Sequence, residues 1–122
     1  MITEDYVGFE TAKLLREKGF TANIHGMYDH DGKFCEATFT DVEPYYCCYA
    51  PTLQMAMKWL REERKINIEI FTYWSIQEKA VYGSRIVSVE HAANVFKEID
   101  IAYNTYEQAC EAAIKYCLEK LI

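Results

Sequence analysis

The residues best suited to chemistry are gathered in one stretch: His25, His30, Cys35, Cys47 and Cys48. Two readings of such a group deserve weighing, a metal site and a thiol nucleophile. A zinc site wants about four convergent nitrogen or sulfur ligands, usually in closely spaced pairs. His25 and His30 are an odd number of positions apart on an expected strand, so alternation sends them to opposite faces. Cys35 is expected to face inward beside Tyr28, away from His25. Buried thiols and surface imidazoles therefore account for the cluster, and no metal is expected. Asp29-His30-Asp31-Gly32 opens like a calcium loop, but the further acidic position and the distal bidentate Glu are missing at the required spacing.

A nucleophilic cysteine needs a neighbouring base. Cys110 and Cys117 lie one heptad apart on the apolar side of a helix, which makes them core. Cys47 or Cys48 could meet a histidine in space, though nothing in the spacing places one there. No Gly-rich phosphate loop, nucleophile elbow or HExxH pattern occurs. Paired carboxylates such as Glu62-Glu63 read as a solvated helix surface. The sequence thus nominates no catalytic residue and no cofactor.

Aromatic residues give a stronger signal, with ten Tyr, six Phe and two Trp in 122 residues. Only some of these rings can be central core, and half-exposed Tyr favours interfaces. In the segment 66–73, Ile66, Ile68 and Ile70 alternate with Asn67, Glu69, Phe71 and Tyr73. If helices cover only the isoleucine face, Phe71 and Tyr73 look outward, with Trp74, Tyr45 and Tyr46 as companions, and together form a binding surface. A sheet covered on both faces would bury them instead.

Several elements must position these groups. A first helix runs from about Phe9 to Lys18, with Gly8 before it, Arg16 and Lys18 in its last turn and Gly19 just past its end. A hairpin spans roughly Asn23 to Thr40. A two-residue turn at Asp31-Gly32 would pair His30 with Lys33, Tyr28 with Cys35, Gly26 with Ala37 and Ile24 with Phe39. Tyr45 to Ala50 reads as a short strand or packed loop. Pro51 suits the first position of a second helix, along which Leu53, Ala56, Met57 and Leu60 make an apolar stripe. The strand from Ile66 follows, then a strand between Lys79 and Val89, and an edge strand over Val95 to Ala102. Thr105 and Gln108 form a capping box for a last helix whose apolar face includes Ala109, Cys110, Ala113, Ile114, Cys117, Leu118 and Leu121.

The expected class is α+β: an antiparallel sheet of four or five strands with three helices, in the order α-β-β-α-β-β-(β)-α, helices mainly on one face. Lys13-Leu14-Leu15-Arg16-Glu17 is echoed by Lys58-Trp59-Leu60-Arg61-Glu62, a hint of repetition no stronger than chance. Neither linker nor low-complexity segment interrupts the chain, so a single domain over residues 1–122 is expected.

Charge narrows the functions. Thirteen basic residues against nineteen acidic ones give a net charge of −6. Nucleic-acid binding and attachment to anionic membranes both draw on a basic face, which this balance disfavours. An acidic N-terminus without an apolar run, and an odd number of cysteines outside any disulfide framework, point to reduced thiols in the cytoplasm.

Segments Ile2–Val7, Phe9–Leu15, Tyr49–Glu62 and Tyr106–Tyr116 together resemble a family of short uncharacterised proteins from phage and prophage regions of gut Bacteroides-type bacteria. The resemblance spans about half the chain and implies an accessory phage-borne role, with no activity and no site residues to carry over. From the residues themselves, a non-enzymatic module that binds a protein partner or self-associates, as in a homodimer, is the leading expectation. The alternative is a small ligand-binding protein or enzyme with an unrecognised pocket. A third reading follows from residues 52–122, whose helix–three strands–helix order is that of double-stranded-RNA-binding domains, against which the acidic charge weighs.

Overall fold

The computed structural model describes residues 2–21, 26–36, 46–90 and 95–122. Its elements are α1 (Phe9–Glu17), β1 (Gly26–Asp29), β2 (Phe34–Glu36), β3 (Tyr46–Tyr49), α2 (Leu53–Glu63), β4 (Ile66–Trp74), β5 (Ala80–Ser88), β6 (Val95–Tyr103) and α3 (Tyr106–Tyr116). A π-helical turn, Cys117–Leu121, continues α3. The class is α+β with three helices and antiparallel strands, as expected. Its described strands form two three-stranded sheets, ordered β2-β1-β3 and β4-β5-β6, where the sequence suggested one sheet of four or five. The element order repeats as helix and three strands, twice over, but the first strand of the first unit is central while the second strand of the second unit is.

The first hairpin shows how side-chain chemistry sets register. Gly32 N–H donates to the Asp29 carbonyl at 3.1 Å, and Asp29 N–H to the Lys33 carbonyl at 3.0 Å. The Asp29 carboxylate accepts from both Asp31 N–H and Lys33 N–H at 2.9 Å, and Gly32 takes the left-handed conformation at φ 83°. The loop therefore holds three residues, a turn closed by a left-handed glycine, and not the two-residue turn expected at Asp31-Gly32. Every pair shifts by one: Tyr28 faces Phe34, Met27 faces Cys35 and Gly26 faces Glu36. Cys35 consequently leaves the Tyr28 face and is exposed, correcting its assignment as an inward thiol. The expected pair Ile24 with Phe39 lies outside the described residues, as do His25 and Ala37.

Helix ends follow local rules with one exception. Leu53, and not Pro51, takes the first position of α2, and Thr52 caps it, its hydroxyl accepting from Met55 N–H at 3.2 Å. Thr105 caps α3 through Gln108 N–H at 3.1 Å, and the Gln108 amide oxygen accepts from Asn104 N–H at 3.2 Å. The exception is α1, whose N-cap Gly8 has no side chain. Glu111, projecting from α3, takes its place. Its Oε1 accepts from Gly8 N–H at 2.9 Å and from the buried Thr11 hydroxyl at 2.6 Å. A carboxylate suits that spot, because the helix end carries unpaired N–H groups and positive partial charge.

Both α2 and α3 pack on the isoleucine face of the second sheet. Ile66, Ile68 and Ile86 are buried beneath them with Leu53, Leu60, Ile114 and Leu118. Helix α1 packs on β3 and α3, adding Leu15 to the same continuous core as Cys48 and Ala50. Ser84, opposite Ile70 on that face, is fully buried, and its hydroxyl finds no hydrogen-bond partner among the described residues.

Candidate functional site

The opposite face of the β4-β5-β6 sheet is where the sequence placed a binding surface. Register fixes which residues it displays. Asn67, Glu69, Phe71 and Tyr73 on β4 stand beside Val87, Arg85, Gly83 and Val81 on β5, and Glu98 and Val95 on β6 stand beside Arg85 and Val87. Because α2 and α3 both occupy the isoleucine side, no described helix packs on this one. The condition set by the sequence for outward aromatic rings is therefore met.

Glycine shapes the surface. A Cβ at Gly83 would come within 2.9 Å of the Phe71 ring and 3.1 Å of the Ile99 carbonyl. The missing side chain leaves room for the Phe71 ring against Gly83, with the Tyr73 ring 5.9 Å away between centroids. Phe71 is still 39% exposed, whereas Val81, paired with Tyr73, is buried. Toward the other end, Arg85 sits between two acids. Its Nε and Nη2 donate to Glu69 Oε2 at 2.9 and 2.7 Å, and Glu98 is its neighbour on β6. In this row the two carboxylates outnumber the guanidinium, leaving the polar end of an aromatic surface net acidic.

The remaining members of the expected group part company. Trp74 alternates to the other side of β4 at the hairpin tip, 70% exposed, near the fully solvated Ile76. Tyr46 belongs to β3 in the other sheet, and Tyr45 lies outside the described residues. Among the described members, Phe71 and Tyr73 come together. What the sequence did not show was Gly83, Val81 and the Glu69–Arg85–Glu98 row, because each depends on the β4–β5–β6 register.

Three of the five thiols behave as core. Burial pushes the Cys110 thiol up to about 11 and the Cys117 thiol up to about 12. Cys48 rises to about 12, through burial first and then its neighbour Cys47. At neutral pH these sulfurs are protonated, the opposite of an activated nucleophile. Among the described residues no three His, Cys, Asp or Glu side chains gather as a metal site. A groove of about 380 Å³ lies between the N-terminal segment and α3, lined by Asp5, Tyr6, Gly8, Leu53, Glu107, Gln108 and Glu111. Its central carboxylate, Glu111, is committed to the end of α1. None of the described helices is long and apolar enough to cross a membrane.

No family model, no curated protein and no solved structure matches the chain.

Proposed function

We propose that this chain is a non-enzymatic interaction module that binds another protein through the open face of its second sheet. One observation carries the reading: Phe71 and Tyr73 are held side by side on a sheet face that no described helix covers. Rigid aromatic rings offer large contact area at little entropic loss, and they anchor interfaces for that reason. The bordering Glu69 and Glu98, with Arg85 offsetting one of them, favour a partner with an apolar centre and a basic rim. A second copy of a chain carrying a net charge of −6 meets repulsion on approach, so a foreign partner is preferred over self-association. The acidic balance also weighs against RNA, although α2-β4-β5-β6-α3 reproduces the order and one-sided helix packing of double-stranded-RNA-binding domains. An accessory role of phage origin rests on the sequence resemblance alone.

The test is quantitative affinity capture with the wild-type chain and the Phe71→Ser/Tyr73→Ser variant, each checked for an unchanged circular-dichroism spectrum. Loss of a hot-spot pair lowers recovery of a specific partner by well over tenfold, from about 2 kcal/mol or more per anchor. Identical recovery by both proteins refutes the assignment of this face. Sedimentation showing a dimer that only the variant loses would transfer the surface to self-association.

A further inference from the structure

Cys47 and Cys48 carry an arrangement that the interaction reading does not use. In β3, Cys48 pairs with Tyr28 and Tyr46 pairs with Asp29, so Cys47 is an extra residue inserted into the ladder. Such a bulge interrupts the alternation that otherwise sends consecutive side chains to opposite faces. Both cysteines accordingly pack against the same core, Cys48 buried and Cys47 partly exposed. The two thiols are close enough to influence each other, Cys47 adding to burial in holding the proton on Cys48. Helix α1 covers this spot with cations, since the Arg16 guanidinium donates to the Cys47 carbonyl and, with Lys13, adds positive charge at the thiols.

We propose that Cys47 and Cys48 form a vicinal dithiol site for a trivalent thiophilic centre, of which a monosubstituted arsenical is the chemical type. Ligand number selects this class. A divalent metal wants about four donors, and among the described residues no third His, Cys, Asp or Glu joins the pair. Trivalent arsenic with one carbon substituent needs two sulfurs and is then complete. Geometry disfavours the direct disulfide, because neighbouring Cα atoms sit about 3.8 Å apart, short of the ~4.4 Å at which unstrained bridges begin. A one-atom bridge between the sulfurs relaxes that limit.

The reaction balances without a redox partner. Phenylarsine oxide and two thiols give the cyclic dithioarsine and one water: two As–S bonds form, the As=O bond breaks, and both thiol protons leave with the oxygen. Arsenic stays trivalent. Attack begins at the partly exposed Cys47, and closure follows onto the adjoining Cys48, which packs against the same core. The other thiols offer no such pair. Cys110 and Cys117, seven residues apart along a helical path, are separated by roughly 10 Å, and Cys35 is on the opposite face of the first sheet.

The experiment treats the reduced full-length chain with phenylarsine oxide, reads intact mass, then challenges the adduct with glutathione and with 2,3-dimercaptopropanol. The expected result is one phenylarsenic group per chain, surviving glutathione and removed by the dithiol. The Cys35→Ser protein should match it. Cys47→Ser, at a partly exposed position, should lose the adduct at roughly a hundredfold lower glutathione, since the second thiol no longer acts at high effective concentration. Cys48→Ser is the companion variant, and if it does not fold, Cys47→Ser decides. No adduct on the wild type, stripping by glutathione at the same concentration in wild type and Cys47→Ser, or full retention by Cys47→Ser each overturns the proposal.

Discussion

Replacing Glu111 by Ala removes the acceptor that finishes α1 from a distance of 103 positions along the chain. Two donors are stranded, the Gly8 N–H and the hydroxyl of Thr11, a residue only 1% exposed. Hydrogen bonds to a charged acceptor contribute about 1.5–3 kcal/mol each, and a buried donor left unpaired costs a similar amount. Both bonds end on one oxygen and do not add fully, so the expected loss is about 3 kcal/mol. That is a large fraction of the ~5–15 kcal/mol that holds a domain folded. It corresponds to a drop in Tm of roughly 10 °C for a chain of this size. Glu111→Gln keeps an oxygen for both donors and loses the charge facing the helix end, for about 1 kcal/mol. Urea unfolding followed by circular dichroism measures both. Rescue sharpens the assay. A Cβ at Gly8 would sit 3.0 Å from Glu111 Oε1, so Gly8→Ser is hindered in the wild type but free to supply its own cap in the alanine background. Gly8→Ser/Glu111→Ala should recover a few tenths of a kcal/mol over Glu111→Ala alone. Equal losses for Ala and Gln, or an alanine loss under about 1 kcal/mol, refute the reasoning.

Ser84→Ala should stabilise the chain by roughly 1 kcal/mol, because it removes a buried hydroxyl that has no partner among the described residues; a lower urea midpoint would show that the oxygen is bonded. Glu78 adopts φ 57° where the matching position of the first hairpin has Gly32, so Glu78→Gly should add about 1 kcal/mol by relieving the left-handed strain. A melting temperature unchanged or lower counts against it. Stability should also fall as pH rises above about 9. The thiols of Cys48, Cys110 and Cys117, raised to about 12, 11 and 12, stay protonated in the fold while the unfolded chain releases their protons. Their contribution is whole below the unfolded thiol pKa and is lost toward the folded values, at about 1.4 kcal/mol per pH unit for each thiol. A urea midpoint constant from pH 8 to pH 10 would contradict the burial of these sulfurs.

Local rules made much of this fold legible. Gly19, Thr105 and Gln108 bound their helices by short-range hydrogen bonding and backbone freedom, which sequence displays directly. Alternation along 66–73 likewise put Phe71 and Tyr73 on the face away from the isoleucines. Register was harder to read. In the first hairpin it turned on whether the Asp29 carboxylate would gather Asp31 N–H and Lys33 N–H, a choice that moved Cys35 from one face to the other. The β4–β5 turn was obscure because Glu78 occupies a position that glycine usually announces. Division into two sheets, the seat for Phe71 at Gly83 and the Cys47 bulge all depend on strand partners remote in sequence. No local pattern encodes them.

The carboxylate of Glu111 also has a meaning in time. A nine-residue helix is marginal in water without help, and α1 receives its cap from a residue near the other end of the chain. By contrast, α2 through α3 form a run of elements that meet their neighbours in order and close short loops. Helix α1 is therefore completed after α3 docks, although it is synthesised first. Folding kinetics should register this order: Glu111→Ala should accelerate unfolding while leaving the folding rate nearly unchanged, a φ-value near zero. A φ-value approaching one would instead place the meeting of the two ends of the chain in the transition state.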